Sequence, residues 1–141
     1  MTRVLVVDDD SSVLQLLEVV LRHARYEVLL AEDGKAALEA LNETIDVLLC
    51  DKNLPAVVGT QVVIEARAKF PKLTTILMTA APEALALSQL GLDGYLAKPF
   101  RSNSLVVHTI ESARTRRRST LERAELEAQL AATRRQLEKQ R

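Results

Sequence analysis

Residues that cross-link or break the backbone are scarce in this 141-residue chain. Cys50 is the only cysteine, which excludes an intramolecular disulfide and fits a reduced, cytosolic setting. Its place in an apolar run makes it a small core residue. Glycine and proline number four each, and neither occurs after Pro99. Long hydrophobic runs are also missing. The N-terminus offers only Val4–Val7 before three acids, which excludes a signal peptide and a membrane span there. There is no net charge either, but the balance is uneven. Residues 1–100 carry nine Lys/Arg against fourteen Asp/Glu, whereas residues 101–141 carry ten against five. An acidic body and a basic tail point to two parts with different jobs. Apolar residues are not lacking: at 48% they are enough for one domain with a real core.

Short apolar runs ending on polar residues organise the first hundred positions. Val4–Val7 runs into Asp8, Asp9 and Asp10, and Asp46–Cys50 runs into Asp51. Thr74–Met78 ends at Thr79, and Tyr95–Ala97 ends at Lys98 and Pro99. Glu27–Ala31 is a further strand candidate. Such runs are too short for helices and read as strands buried on both faces. Between them, Val13, Leu14, Leu16, Leu17, Val20, Leu21 and Ala24 recur at helical spacing behind Ser12 and Gln15, which have capping-box spacing. Ala36–Leu41, Thr60–Phe70 and Pro82–Leu90 read as further helices. Strand and helix alternating in this way predict an α/β fold, a parallel sheet with helices on both faces. Pro55 and Gly59 are expected to keep the segment after Asp51 irregular and its carboxylate exposed.

With no breaker after Pro99, residues from Ser102 onward form one helix of roughly 60 Å. Leu126, Leu130, Thr133 and Leu137 alternate in steps of four and three, as a heptad seam does. A second stripe, Leu121, Ala124, Ala128 and Ala131, competes with it. A charged helix of this length needs a partner in water, and a homodimeric coiled coil is the expectation. The end at Lys139-Gln140-Arg141 has no capping signal, and the natural chain is expected to continue. Arg114, Arg116, Arg117 and Arg118 lack a helix-turn-helix, zinc or aromatic-interleaved signature, so a solvated or coiled-coil flank is preferred over nucleic-acid binding.

Strand ends in a parallel sheet share one edge, where open α/β sheets place ligands. Asp8, Asp9, Asp51, Thr79 and Lys98 therefore converge. Crowded carboxylates raise one another's pKa unless a cation joins them, and oxygen-only donors with room for water suit Mg²⁺. A hydroxyl and an ammonium beside the metal complete a cradle for phosphoryl oxygens. A carboxylate nucleophile would then give an acyl phosphate.

On these motifs the chain resembles the receiver domain of two-component response regulators (the CheY-like group). They are Val6-Val7-Asp8-Asp9, Cys50-Asp51-Lys52-Asn53-Leu54-Pro55, Met78-Thr79-Ala80 and Gly94-Tyr95-Leu96-Ala97-Lys98-Pro99-Phe100. The resemblance implies a flavodoxin-like sheet with strand order 2-1-3-4-5, a receiver over 1–113 and a helical extension over 114–141. It makes Asp51 the phosphoacceptor. Asp9, Asp51 and the backbone carbonyl of Asn53 are implied as Mg²⁺ ligands, with Asp8 acting through water. Thr79 and Lys98 take the phosphoryl oxygens, Tyr95 is the switch aromatic, and Lys98–Pro99 is cis. The donor is a histidine kinase or histidine phosphotransfer protein, and no external substrate is turned over.

Three features depart from the family pattern. Thr79 to Lys98 spans nineteen positions, about three fewer than usual and close to one helical turn. Ala56-Val57-Val58-Gly59 lacks the acidic residue often found before that glycine, leaving Val57 and Val58 as a contact patch or core packing. Lys52 puts a cation beside the phosphoacceptor and is read as solvent-facing. Two rival functions stand beside this one. A pseudo-receiver would bind without phosphorylation. A haloacid-dehalogenase-type phosphatase would use Asp8 of an Asp-x-Asp motif as nucleophile, but leaves Asp51 unexplained.

Overall fold

The computed structural model describes residues 1–81 and 91–140. Its strands are β1 (Arg3–Val7), β2 (Glu27–Ala31), β3 (Val47–Asp51), β4 (Thr74–Thr79) and β5 (Gly94–Ala97). Its helices are α1 (Ser11–His23), α2 (Gly34–Ala40), α3 (Gly59–Lys69) and α4 (Asn103–Lys139). The strands form one parallel sheet in the order β2-β1-β3-β4-β5, as expected. The helix expected over Pro82–Leu90 lies outside the described residues.

Strand periodicity divides the core in two. Val4 and Val6, Val47 and Leu49, and Ile76 and Met78 pack with Leu17 of α1 and Ile110 of α4. The alternate residues Leu5, Val7, Leu48, Cys50 and Leu77 pack with Ala37 of α2 and Val62 of α3. Every residue of β3 and β4 is buried, which explains apolar runs without a polar face. Each fully buried Leu or Ile contributes about 1.5–3 kcal/mol. Cys50 is one of these core residues, and burial first, then the Asp51 and Asp8 charges, push its thiol pKa up.

Helix starts differ in detail from the sequence expectation. Asp10, not Ser12, caps α1: it is extended, and its carboxylate accepts from Ser12 N at 2.9 Å. Ser12 is already inside the helix, so the Ser12–Gln15 pair is no capping box. Asp33 caps α2, accepting from Ala36 N at 2.7 Å, and Ser102 caps α4, accepting from Leu105 N at 3.1 Å. α3 has no side-chain cap. It begins at Gly59, where a Cβ would lie 2.1 Å from the Asp51 carbonyl oxygen and 2.8 Å from Lys52 Cα. Gly59 is thus the contact by which α3 approaches the end of β3, not a residue that holds the chain irregular. The two valines before it divide: Val57 packs on the core, while Val58 is half exposed.

At the opposite edge of the sheet, Arg67 fixes the entry to β5. Its guanidinium donates to Asp93 Oδ2 (2.7 Å), Thr75 Oγ1 (2.6 Å) and the Gly91 carbonyl (2.8 Å). Asp93 also accepts from Thr75 N at 2.8 Å. Burial raises the Asp93 pKa and lowers that of Arg67, and their mutual attraction opposes both shifts. α4 runs unbroken for 37 residues, about 55 Å. Val106, Ile110 and Ala113 are its buried residues, and Leu126, Leu130 and Leu137 are each more than half exposed.

Candidate functional site

The parallel register sets the strand ends side by side. Val7 pairs with Cys50, Asp51 with Met78, and Thr79 with Ala97. Asp8, Asp51, Thr79 and Lys98 therefore meet at one edge through backbone pairing alone. Lys98 N donates to Thr79 O (2.9 Å) and Lys52 N to Met78 O (2.9 Å), which carries the pairing past the strand ends. The Lys98–Pro99 bond is cis.

Asp8 is fully buried, and each of its oxygens has a donor. Its Oδ1 accepts from Asp10 N at 2.9 Å, and its Oδ2 accepts from Lys98 Nζ at 2.6 Å. Lys98 reaches Asp51 as well, with Nζ 3.4 Å from Oδ1. Oxygens of Asp8, Asp9 and Asp51 all lie within 4.8 Å of one another. Asp51 was expected to be exposed but is 6% exposed. The cause is the loop after it: Gly59 N donates to Lys52 O at 2.9 Å, bringing the start of α3 against the end of β3.

Electrostatics follow from that burial. Desolvation is the larger cause that raises the Asp51 pKa, and the Asp8 charge adds to it; Lys98 and the Asn53 backbone amide pull it down without cancelling the rise. For Lys98, burial works against the ammonium, yet the hydrogen bond to Asp8 and the charges of Asp51 and Asp8 outweigh it, and its pKa is raised. One ammonium thus serves two carboxylates while Asp9 lies exposed beside them. That excess of negative charge, presented by oxygen donors only, fits a hard divalent cation such as Mg²⁺.

Thr79 is buried, and its Oγ1 accepts from Ala81 N at 3.1 Å, which fixes the hydroxyl at the cluster's edge. Asn53 is exposed in the loop two residues past β3. Tyr95 is not among the residues that bond Asp8 or Asp51. It is 42% exposed on β5 and borders a surface cavity with His108, Ser112 and Arg116 of α4. Two contributors escaped sequence reasoning. Asp10 holds Asp8 through its backbone and α1 through its side chain. Gly59 is legible as a break, but its tight approach to the Asp51 backbone is not.

A model of the response regulator receiver domain matches residues 4–110. The chain is 35% identical over 109 residues to the transcriptional regulatory protein CpxR of Escherichia coli, covering 75% of this chain and 47% of that protein. It is 38% identical over 122 residues to the transcriptional regulatory protein PrrA of Mycobacterium tuberculosis, covering 84% and 52%. The chain spans about half the length of the curated relatives it matches. Among solved structures, a receiver domain protein from Clostridium thermocellum aligns with a TM-score of 0.74 at 26% identity, covering 85% of this chain and 99% of that one. Chemotaxis response regulator CheY4 of Vibrio cholerae aligns at 0.72 with 29% identity, covering 80% and 98%.

Proposed function

The chain belongs to the response regulator receiver domain family, and from that premise we propose that it is a switch set by phosphorylation of Asp51. The observation that carries the proposal is the shared ammonium: Lys98 Nζ lies 2.6 Å from Asp8 and 3.4 Å from Asp51. Asp8 is the more buried of the two and holds the ammonium more closely, whereas the Asp51 contact is longer, which supports Asp51 as the nucleophile. That asymmetry also weighs against a phosphatase with Asp8 as nucleophile.

In the proposed reaction an Asp51 oxygen forms a bond to phosphorus as the N–P bond of a phosphohistidine breaks, and the imidazole leaves with a proton. Mg²⁺, held by Asp9, Asp51 and the Asn53 carbonyl with Asp8 acting through water, would offset the negative charge of the phosphoryl oxygens. Lys98 supplies a second positive charge there, and the Thr79 hydroxyl turns from Ala81 N to donate to phosphate. Thr79 gains that partner only in the phosphorylated state, so the modification biases one of two arrangements, with Tyr95 following.

The donor in this reading is a histidine kinase or a histidine phosphotransfer protein, in the cytoplasm. The receiver spans 1–113. The extension over 114–141 forms a homodimer through the exposed Leu126, Leu130 and Leu137 of α4. Among the described residues no helix is long and apolar enough to cross a membrane.

Incubation with Mg²⁺ and a small phosphodonor, followed by intact mass measurement, tests the reaction. Wild type gains one phosphoryl group and Asp51→Asn gains none. Labelling of Asp51→Asn would assign the nucleophile elsewhere.

A further inference from the structure

The acidic edge of the sheet has a counterpart of opposite sign at the other end of the strands. There Lys72 lies just before β4, and α4 passes over the same edge with Arg114, Arg117 and Arg118 against it. These cations line one surface cavity of about 210 Å³. Asp46, just before β3, is the one acid among the described residues that line it. The length of β3 separates this cavity from Asp51 by about 16 Å.

α4 is fixed over the cavity. Arg117 Nε donates to the Pro71 carbonyl at 3.1 Å, and its Nη2 donates to the same oxygen. Earlier on the helix, Glu111 accepts from the Tyr26 hydroxyl. Arg114, Arg117 and Leu121 are partly buried in consequence, whereas Arg116, Ser119 and Thr120 are exposed.

Little of the positive charge is neutralised. Among the described residues neither Lys72 nor Arg118 forms an ion pair, and Arg114 reaches only Glu111, at 3.4 Å. Asp46 already accepts from Arg3 N at 2.9 Å. Cations gathered in a concave site repel one another unless an anion joins them. At i and i+4, Arg114 and Arg118 stand about 6 Å apart, with Lys72 on the receiver side of the cavity. That spread fits two linked phosphates better than one.

A second cavity of about 470 Å³ adjoins the first and shares Asp46 and Lys72 with it. Ile45, Phe70, Pro71 and Leu73 give it an apolar wall, and Glu43 and Asp46 offer acceptors for N–H or O–H groups. A flat heteroaromatic ring carrying amino and hydroxyl groups matches that lining.

We propose that this edge binds a nucleotide with two or more phosphates, the phosphates among Lys72, Arg114 and Arg118 and the base against Phe70. Bound there, the ligand joins the receiver to the tail helix, because Lys72 belongs to one and the arginines to the other. Neither Asp51 nor its metal takes part, so binding requires neither.

Calorimetric titration of the full chain with ADP, in metal-free buffer of low salt, tests the assignment. ADP should bind more tightly than inorganic pyrophosphate, and adenosine more weakly than both. Lys72→Gln and Arg118→Gln, at exposed positions, should each weaken ADP by about three- to tenfold. Arg123→Gln removes the same charge from an exposed position further along α4 and should leave the affinity unchanged. An equal loss in Arg123→Gln marks diffuse attraction and overturns the site. Pyrophosphate that binds as tightly as ADP leaves no place for the base and overturns the nucleotide. A duplex oligonucleotide that displaces ADP with a steep salt dependence assigns the surface to nucleic acid and overturns it as well. So does an absence of ADP binding up to millimolar concentration.

Discussion

At the scale of single residues, Asp51 is held where its charge is least welcome. Its carboxylate is buried beside Asp8, and its pKa is raised. The native state therefore holds that proton more tightly than the unfolded chain does. Stability falls as pH rises from the ordinary value of 3.8 through the raised one, and the penalty is present in full above it. Asp51→Asn removes it. In metal-free buffer at neutral pH the variant should be more stable by roughly 0.5–2 kcal/mol, with a flatter pH dependence in thermal melts above pH 4. Mg²⁺ should raise the wild-type Tm and have a smaller effect on the variant. Gly59 shows the reverse dependence. A methyl group there meets the Asp51 carbonyl carbon and oxygen, and Gly59→Ala should cost about 1–3 kcal/mol in urea denaturation. The acids, the threonine and the lysine were legible because each ends an apolar run. The burial of Asp51 was not, because it depends on α3 closing over Lys52, a contact between elements that local sequence does not encode.

Among elements, the strands were the most legible. Their apolar runs are long because β1, β3 and β4 are covered on both faces, and the runs stop where the chain reaches the site. Helix starts were less so, since several neighbouring residues can cap and the backbone decides. Ser12 carries the familiar signature, yet Asp10 sits in the extended conformation that a cap needs. Asp10→Ala should therefore destabilise by about 1 kcal/mol, and Ser12→Ala by a few tenths at most, in parallel denaturant titrations. Equal effects would return the capping role to Ser12. Asp10 also ties α1 to the site, because its N–H holds Asp8 in place. The Arg67–Asp93 pair went unread for a similar reason: the two residues stand twenty-six positions apart and meet only once β4 and β5 are aligned.

For the molecule as a whole, α4 joins the two parts that the charge asymmetry suggested. Its first turns complete the core over β4 and β5, and the remainder extends from that body with its leucines exposed. A 1–113 truncation should keep its phosphorylation but become monomeric by light scattering, separating the chemistry from the association. The length of the helix was legible from the absence of glycine and proline. The central claim is that the acid ending β3 receives the phosphoryl group. After incubation with Mg²⁺ and a small phosphodonor, borohydride reduces an aspartyl phosphate to homoserine, and peptide mass spectrometry locates it. Homoserine at position 51 is the predicted result; homoserine at position 8, or at neither, contradicts the account.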